Sequence, residues 1–292
     1  MSTALTSPLQ HVASQLDLLR QRRSAAAPRR EHDVAHGTPT LLCASGRGGQ
    51  GTTLLAALLA VAAAGDGYRV LLVDTDEHVG PLSMLLGVHA RGSWLDVRGG
   101  QCGAIDVATP LSTTLTFVAG GPPRRTAGSA SPLTSAERRA CLRRVSALAQ
   151  HVDLVVMDCG ARFETVMASV TPHNGERLLA ITANVDPIGL AATYALCKAV
   201  HARHEALPID VLVNRHDGDD AIRCFEALDA GARQFLGCTL GHAGAIPTDS
   251  TLDAALRAGM LFPDAAAGSP AAIAAHEIVM RTILSSSSRK GV

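Results

Sequence analysis

Lysine is nearly absent from this chain, although basic residues are not. Of the 26 lysines and arginines among 292 residues, only Lys198 and Lys290 are lysines. The 26 acidic residues leave a formal net charge of zero, so no overall positive field favours nucleic acid as a partner. We interpret the arginine excess as compositional bias, which makes a lysine-to-arginine exchange weak evidence for altered chemistry. A lysine-to-threonine exchange has no such explanation.

Long apolar runs and paired cysteines are also missing. No stretch of about 18 residues lacks charges and turn signals, so we predict no transmembrane helix. The first residues lack the charged-then-apolar pattern of a secretion signal. The seven cysteines contain no C-x-x-C pair, which is typical of reduced cytosolic thiols. We therefore expect a cytoplasmic protein and leave open peripheral attachment at the inner membrane or a cell pole.

The chain divides into an appendage, one large domain and a short tail. In residues 1–36, Leu9, Val12, Leu16 and Leu19 recur at helical spacing, which predicts a helix over 8–22 followed by an arginine-rich linker. This segment is either a solvated tail or a docking helix for a protein partner. We assign 37–284 to the domain and 285–292 to a polar tail.

Apolar segments alternate with helical patterns throughout the domain. This alternation predicts an α/β fold with a doubly wound, mostly parallel sheet and helices on both faces. Residues 91–132 are rich in turn signals, and only 115–119 is predicted as a strand there. The other predicted strands are 40–44, 68–74, 152–157, 177–182, 209–213 and 244–247.

A glycine-rich stretch follows the first predicted strand and precedes an Ala/Leu-rich helix. It reads S-G-R-G-G-Q-G-T-T over 45–53. Glycines let backbone N–H groups approach an anion at a helix N-terminus. The stretch fits the phosphate-loop pattern G-x-x-x-x-G-K-[ST] except that Thr52 replaces the lysine. We predict nucleotide contacts from Gly46, Gly48, Gly49, Gln50, Gly51, Thr52 and Thr53.

Three aspartates end predicted strands. Asp74 and Asp76 follow the second, and Asp158 ends the strand 152–157. Because ligands bind at the carboxyl ends of parallel strands, we predict that Thr53, Asp74 and Asp158 form a Mg²⁺ site. Asp76 is a candidate for orienting the attacking water. The alternatives are helix capping by Asp76 or Thr53 and support of the loop by Asp74.

In these motifs the chain resembles the MinD/ParA superfamily of deviant P-loop ATPases, over about 38–284. That family's loop reads S-G-K-G-G-V-G-K-T-T, which puts Arg47 at the signature lysine. Asp74 and Asp76 match its D-x-D. Its V-x-N asparagine matches Asn214, and its I-P-x-D segment matches 246–249. The resemblance implies binding of ATP or ADP with Mg²⁺, with Asn214 and Pro247 at the adenine. It also implies a nucleotide-linked homodimer in which Arg47 acts catalytically on the partner's phosphates.

Members of that superfamily position chromosomes, division sites, flagella, or cellulose and pilus machinery. The flagellar-number branch carries an N-terminal D-Q-A-x-x-L-R segment that activates a signal-recognition-type GTPase, and 14–20 matches it at Gln15, Leu19 and Arg20. We therefore expect a regulator of a cell-surface structure, the flagellum first. Cellulose or pilus positioning and a ParA-type role are the alternatives. The absence of a C-terminal lysine cluster disfavours a DNA-partitioning role.

The threonine at position 52 divides the expectation in two. Without the lysine, a charge-assisted contact to the phosphates is lost, which lowers the binding free energy of nucleotide by about 1.5–3 kcal/mol. Either a weakened ATPase or a non-hydrolysing interaction module is therefore consistent with the sequence. Arg47 can supply a guanidinium, but it cannot occupy the signature position and replace the loop lysine at the same time.

An iron–sulfur site at Cys102 and Cys159 is disfavoured by the positions of these cysteines. For the last helix, 270–284, we favour core packing over weak membrane association.

Overall fold

The computed structural model describes residues 37–125, 132–170, 175–183, 187–216 and 218–288, with the backbone only for 283–288. The N-terminal helix predicted over 8–22 therefore lies outside the described residues. The strands are β1 Thr40–Ser45, β2 Val70–Asp74, β3 Ala108–Pro110, β4 Leu115–Val118, β5 Leu154–Gly160, β6 Glu176–Thr182, β7 Ile209–Asn214 and β8 Gly241–Ile246.

The α-helices alternate with these strands along most of the chain. They are α1 Thr52–Gly65, α2 Pro81–Leu86, α3 Ala104–Val107, α4 Ser135–Ser146, α5 Phe163–Ser169, α6 Pro187–His201, α7 Gly218–Leu236, α8 Ser250–Arg257, α9 Phe262–Ala266 and α10 Pro270–Ser288. Short 3₁₀ turns cover Trp94–Val97 and Ala147–His151.

Within the described residues the strands form one sheet in the order β3-β4-β2-β5-β1-β6-β7-β8. Every neighbouring pair is parallel except β3 and β4, which run antiparallel at one edge. Strand β1 lies between β5 and β6. The loop that follows the carboxyl end of β1 therefore has a neighbouring strand on each side. This is the position at which an open parallel sheet forms a ligand crevice.

Each face of the sheet is covered by an apolar layer. On one face, Leu55 and Leu59 of α1 are fully buried, α10 packs against α1, and Ile278 and Val279 of α10 are buried in the same layer. On the other, Leu142 of α4 and other buried side chains of α5, α6 and α7 cover the sheet. Two covered faces explain why the strands read as continuous apolar runs.

The predicted α/β fold is confirmed, with two local corrections. Residues 91–132 contain more regular structure than predicted: β3 pairs with β4, and α3 precedes it. The last helix continues beyond 284 to Ser288. Its described side chains support core packing, because Ala271, Ala275 and Ile278 are buried. Among the described residues, no helix is long and apolar enough to cross a bilayer.

Candidate nucleotide-binding site

The glycine-rich loop joins β1 to α1 at the centre of the sheet. Gly49 and Gly51 have φ values of 80° and 84°, a left-handed conformation that favours glycine. Gly48 and Gly49 are exposed, so the tip of the loop is open to solvent. The predicted strand–loop–helix cradle is therefore present, with its tip accessible to an anion.

Gly46 lies against the backbone of α6. A Cβ atom at this position would lie 2.1 Å from the carbonyl oxygen of Ala192 and 2.7 Å from the Thr193 nitrogen. A side chain has no room there. The sequence motif marks Gly46 as part of the loop, but only the packing of α6 shows why it must be glycine.

Thr52 is turned into the loop. Its side chain is buried, and its hydroxyl donates to the Ser45 hydroxyl at 2.9 Å. Ser45 in turn donates to the Arg47 carbonyl oxygen at 2.9 Å. At the position of the usual lysine, this chain therefore has a threonine whose hydroxyl forms a hydrogen bond within the loop.

Gln50 and Asn214 connect the same loop to two other strands. Gln50 Oε1 accepts a hydrogen bond from the backbone nitrogen of Ala183, just beyond β6, at 2.6 Å. Asn214 Nδ2, at the end of β7, donates to the Gln50 carbonyl oxygen at 2.8 Å. The amide of Asn214, which the resemblance assigned to the adenine, thus contacts the loop backbone. Sequence reasoning gave Gln50 no structural role.

Two aspartates face each other across adjacent strands. Asp74 of β2 is in register with Asp158 of β5, and both are buried. Asp74 accepts hydrogen bonds from the backbone nitrogens of Asp76 at 3.0 Å and Leu82 at 2.9 Å. Asp158 accepts from Gly160 N at 3.0 Å, and the side chain of Thr53 lies close enough to lower its pKa. The structure therefore brings Thr53 near Asp158, with Asp74 on the neighbouring strand.

Burial dominates the electrostatics of this pair. Burial, and then the charge of Asp158, raise the pKa of Asp74 to about 7, against opposing hydrogen bonds. Burial also raises the pKa of Asp158, which the nearby Thr53 side chain and the hydrogen bond from Gly160 N oppose. Two carboxylates and a hydroxyl are the hard oxygen ligands that Mg²⁺ takes, and a cation offsets their repulsion. The donor set therefore fits Mg²⁺.

Asp76 organises the turn that follows β2. Its Oδ1 accepts hydrogen bonds from the backbone nitrogens of His78 and Val79, both at 2.7 Å. Burial opposes ionisation, but these hydrogen bonds, together with the charge of Arg162, lower the pKa of Asp76. Asp76 does not cap the following helix α2, whose N-cap residue is Gly80 without a side-chain cap. The ionised carboxylate is compatible with orienting water. Sequence reasoning missed Arg162.

The remaining predicted residues lie around the loop or beyond it. Arg47 is a partly buried residue of the loop itself, and Pro247 directly follows β8. In the same I-P-x-D segment, Asp249 caps α8 by accepting from Leu252 N at 2.9 Å, and it also accepts from Ala271 N at 3.1 Å. That aspartate joins α8 to α10.

All seven cysteines are free thiols, and six of them are buried. Among the described residues, no group of three or more histidines, cysteines or acids could hold a metal ion. Burial raises the pKa of the Cys159 thiol to about 12.

The raised pKa of Asp74 predicts a pH dependence of folding. Its ordinary value is 3.8, so the folded state holds an additional proton between about pH 4 and 7. The free energy of unfolding should therefore fall as pH rises through that window, by roughly 2–3 kcal/mol between pH 5 and 7.5, and level off above it. Urea unfolding of wild type and Asp74→Asn at several pH values measures this. The variant should show a shallower fall, whereas exposed Asp219→Asn should follow wild type. Parallel curves for wild type and Asp74→Asn would contradict it.

This chain matches a known family of nucleotide-binding domains and a characterised relative. Residues 41–262 match the family model described as the CobQ/CobB/MinD/ParA nucleotide binding domain. The antiactivator FleN of Pseudomonas aeruginosa is 26% identical over 225 residues, which is 76% of this chain and 78% of FleN.

Solved structures agree on the fold. A ParA family ATPase from Chlorobium tepidum superposes with a TM-score of 0.65 at 18% identity, over 84% of this chain and 99% of its own. MinD from Pyrococcus horikoshii, solved with Mg-ADP, superposes with a TM-score of 0.64 at 19% identity, over 84% of this chain and 95% of its own. Because the family model covers most of the domain that carries the glycine loop and the strand-end aspartates, this chain belongs to the CobQ/CobB/MinD/ParA nucleotide-binding family.

Proposed function

We propose that this chain is a nucleotide-dependent regulator that positions or counts a cell-surface structure, the flagellum first, by binding a protein partner. The observation that carries the nucleotide part is the buried pair of Asp74 and Asp158, in register at the carboxyl ends of β2 and β5, beside a glycine loop whose tip is exposed. FleN, which aligns with 76% of this chain, is called an antiactivator, and we carry that role over to this chain as action on a protein partner.

In this proposal the chain's residues seat ATP or ADP with Mg²⁺. The backbone N–H groups of the loop would face the phosphates, and Thr53, Asp74 and Asp158 would hold the metal directly or through water. Bound Mg²⁺ supplies neutralisation of phosphate charge. Arg47 would act across a nucleotide-linked homodimer, and Asp76 would orient water. Asn214 and Pro247 remain the proposed adenine side, with one N–H of Asn214 engaged by Gln50.

A weak, slow ATPase is the form of the site that we favour. Phosphoryl transfer depends on positioning and on charge neutralisation, so loss of the lysine should impair hydrolysis more than binding. The second candidate is a non-hydrolysing interaction module. It is favoured by one observation, the engagement of the Thr52 hydroxyl inside the loop.

Equilibrium binding and turnover separate these candidates. For the purified full chain, we expect measurable binding of MgATP and MgADP with very slow phosphate release. Asp158→Asn should weaken binding of the Mg²⁺ complexes, whereas exposed Asp219→Asn should not. Absence of binding at millimolar nucleotide would leave the interaction module. Turnover that matches active family members, with Arg47 essential, would contradict the degenerate site.

Partner binding is assigned to residues 1–36. Deleting this segment should abolish binding to a signal-recognition-type flagellar GTPase, or to another positioning partner, and leave the melting temperature of the domain unchanged. Pull-down and stimulation of GTP hydrolysis by the full chain, by the truncated chain and by the isolated 1–36 peptide are the measurements. A truncated chain that stimulates the GTPase as well as wild type does would exclude the N-terminal segment as the docking element.

A further inference from the structure

The phosphate loop has an open tip and a buried base. Gly48 and Gly49 are exposed, but Gln50, the next residue, is only 3% exposed. A buried amide costs free energy unless its polar atoms are hydrogen-bonded. The burial of a glutamine in a glycine-rich loop therefore points to a specific set of bonds.

Those bonds come from strands on one side of β1. The Gln50 side chain accepts from Ala183 N beyond β6, and its carbonyl oxygen accepts from Asn214 at the end of β7. In the sheet, β6 and β7 are the first and second strands on that side of β1. Gln50 thus ties the loop to both. The buried hydrogen bond between Thr52 and Ser45 connects the two ends of the loop.

The glycines explain why such ties matter. Gly46, Gly48, Gly49 and Gly51 give the loop more conformational freedom in the unbound chain than other residues would. A loop that samples many conformations presents its N–H groups together for only part of the time. The apparent affinity of such a loop for an anion equals the intrinsic affinity multiplied by that fraction of time.

We propose that Gln50 is a positioning residue that, together with Asn214, holds the phosphate loop in its anion-binding conformation before nucleotide arrives. The proposal rests on the proposed nucleotide site for its binding test but not for its structural test. Gln50 acts through the loop backbone rather than by touching the phosphates. In a chain without the loop lysine, such preorganisation supports the remaining affinity.

The structural test uses a trypsin site inside the loop. Trypsin can cleave the Arg47–Gly48 bond. We expect cleavage only when the loop detaches from β6 and β7, here called the open state, so the cleavage rate follows the population of open loop. We expect slow cleavage in the nucleotide-free full chain. Gln50→Met, which removes the acceptor, should raise the rate at least tenfold. Exposed Gln234→Met should not change it.

Cleavage after Arg177, within β6, controls for global unfolding. If Gln50→Met accelerates both cleavages, Asn214→Ala, which removes the other bond, decides: selective acceleration at Arg47 supports the proposal. A wild-type loop cut as fast as a free 40–54 peptide would overturn it. So would equal cleavage of wild type and variants at Arg47, or acceleration of both sites in both variants.

The binding test uses a fluorescent ADP analogue with Mg²⁺ in stopped flow. With the open fraction taken as the cleavage rate relative to that of the free 40–54 peptide, Gln50→Met should lower the association rate constant in proportion to the closed fraction that remains. The dissociation rate constant should be unchanged. An association rate constant that departs from that proportion would overturn the link to nucleotide. Wild type that binds no nucleotide would refute the proposed function, while the cleavage test would still decide whether Gln50 holds the loop.

Discussion

Replacing Gly46 with alanine should abolish nucleotide binding and destabilise the domain. The added Cβ would lie 2.1 Å from the Ala192 carbonyl oxygen and 2.2 Å from its carbon, both backbone atoms of α6. Neither can rotate away, so the loop or α6 must shift. Overpacking of this kind costs about 3 kcal/mol. Urea unfolding and titration with MgADP measure both effects.

Gly48 is the matched control for Gly46. It lies two residues away in the same loop, has no atom within 4 Å of an added Cβ, and does not have a positive φ. Gly48→Ala should therefore change the free energy of unfolding by less than about 1 kcal/mol. If the two alanine variants behave alike, the contact between Gly46 and α6 does not determine the loop.

Replacing Thr52 with lysine should tighten MgATP binding about tenfold. A lysine there restores a charge beside the phosphates, and hydrogen bonds to charged groups are worth about 1.5–3 kcal/mol. The exchange removes the Thr52–Ser45 bond, whose loss offsets part of that gain. Calorimetric titration with MgATP and MgADP measures the difference.

Thr52→Met separates the charge from the change in shape. Methionine has similar length to lysine and also removes the bond to Ser45, so it should weaken MgATP binding relative to wild type. Equal affinities for the lysine and methionine variants would show that charge at position 52 has no effect. In that case Arg47→Ala should abolish binding, because Arg47 would supply the missing charge.

The sequence predicted the parts of the fold that depend on neighbouring residues. The strand–loop–helix order at 40–65 and the aspartates at the ends of β2 and β5 follow from apolar runs, glycine spacing and residue type, all of which are local. Where local signals were weak, the prediction failed. Strand β3 has only three residues, and its pairing with β4 depends on that neighbour rather than on its own pattern.

What the sequence by itself determined is the α/β architecture, the phosphate loop and its missing lysine, and the acidic strand ends. Only the tertiary structure decided the hydrogen bonds of Gln50, the partner of Asn214 and the reason for Gly46. Gln50 reaches Ala183 across 133 positions, and Asn214 reaches Gln50 across 164. Such contacts arise when strands β6 and β7 and helix α6 pack beside β1, and no local pattern encodes that packing.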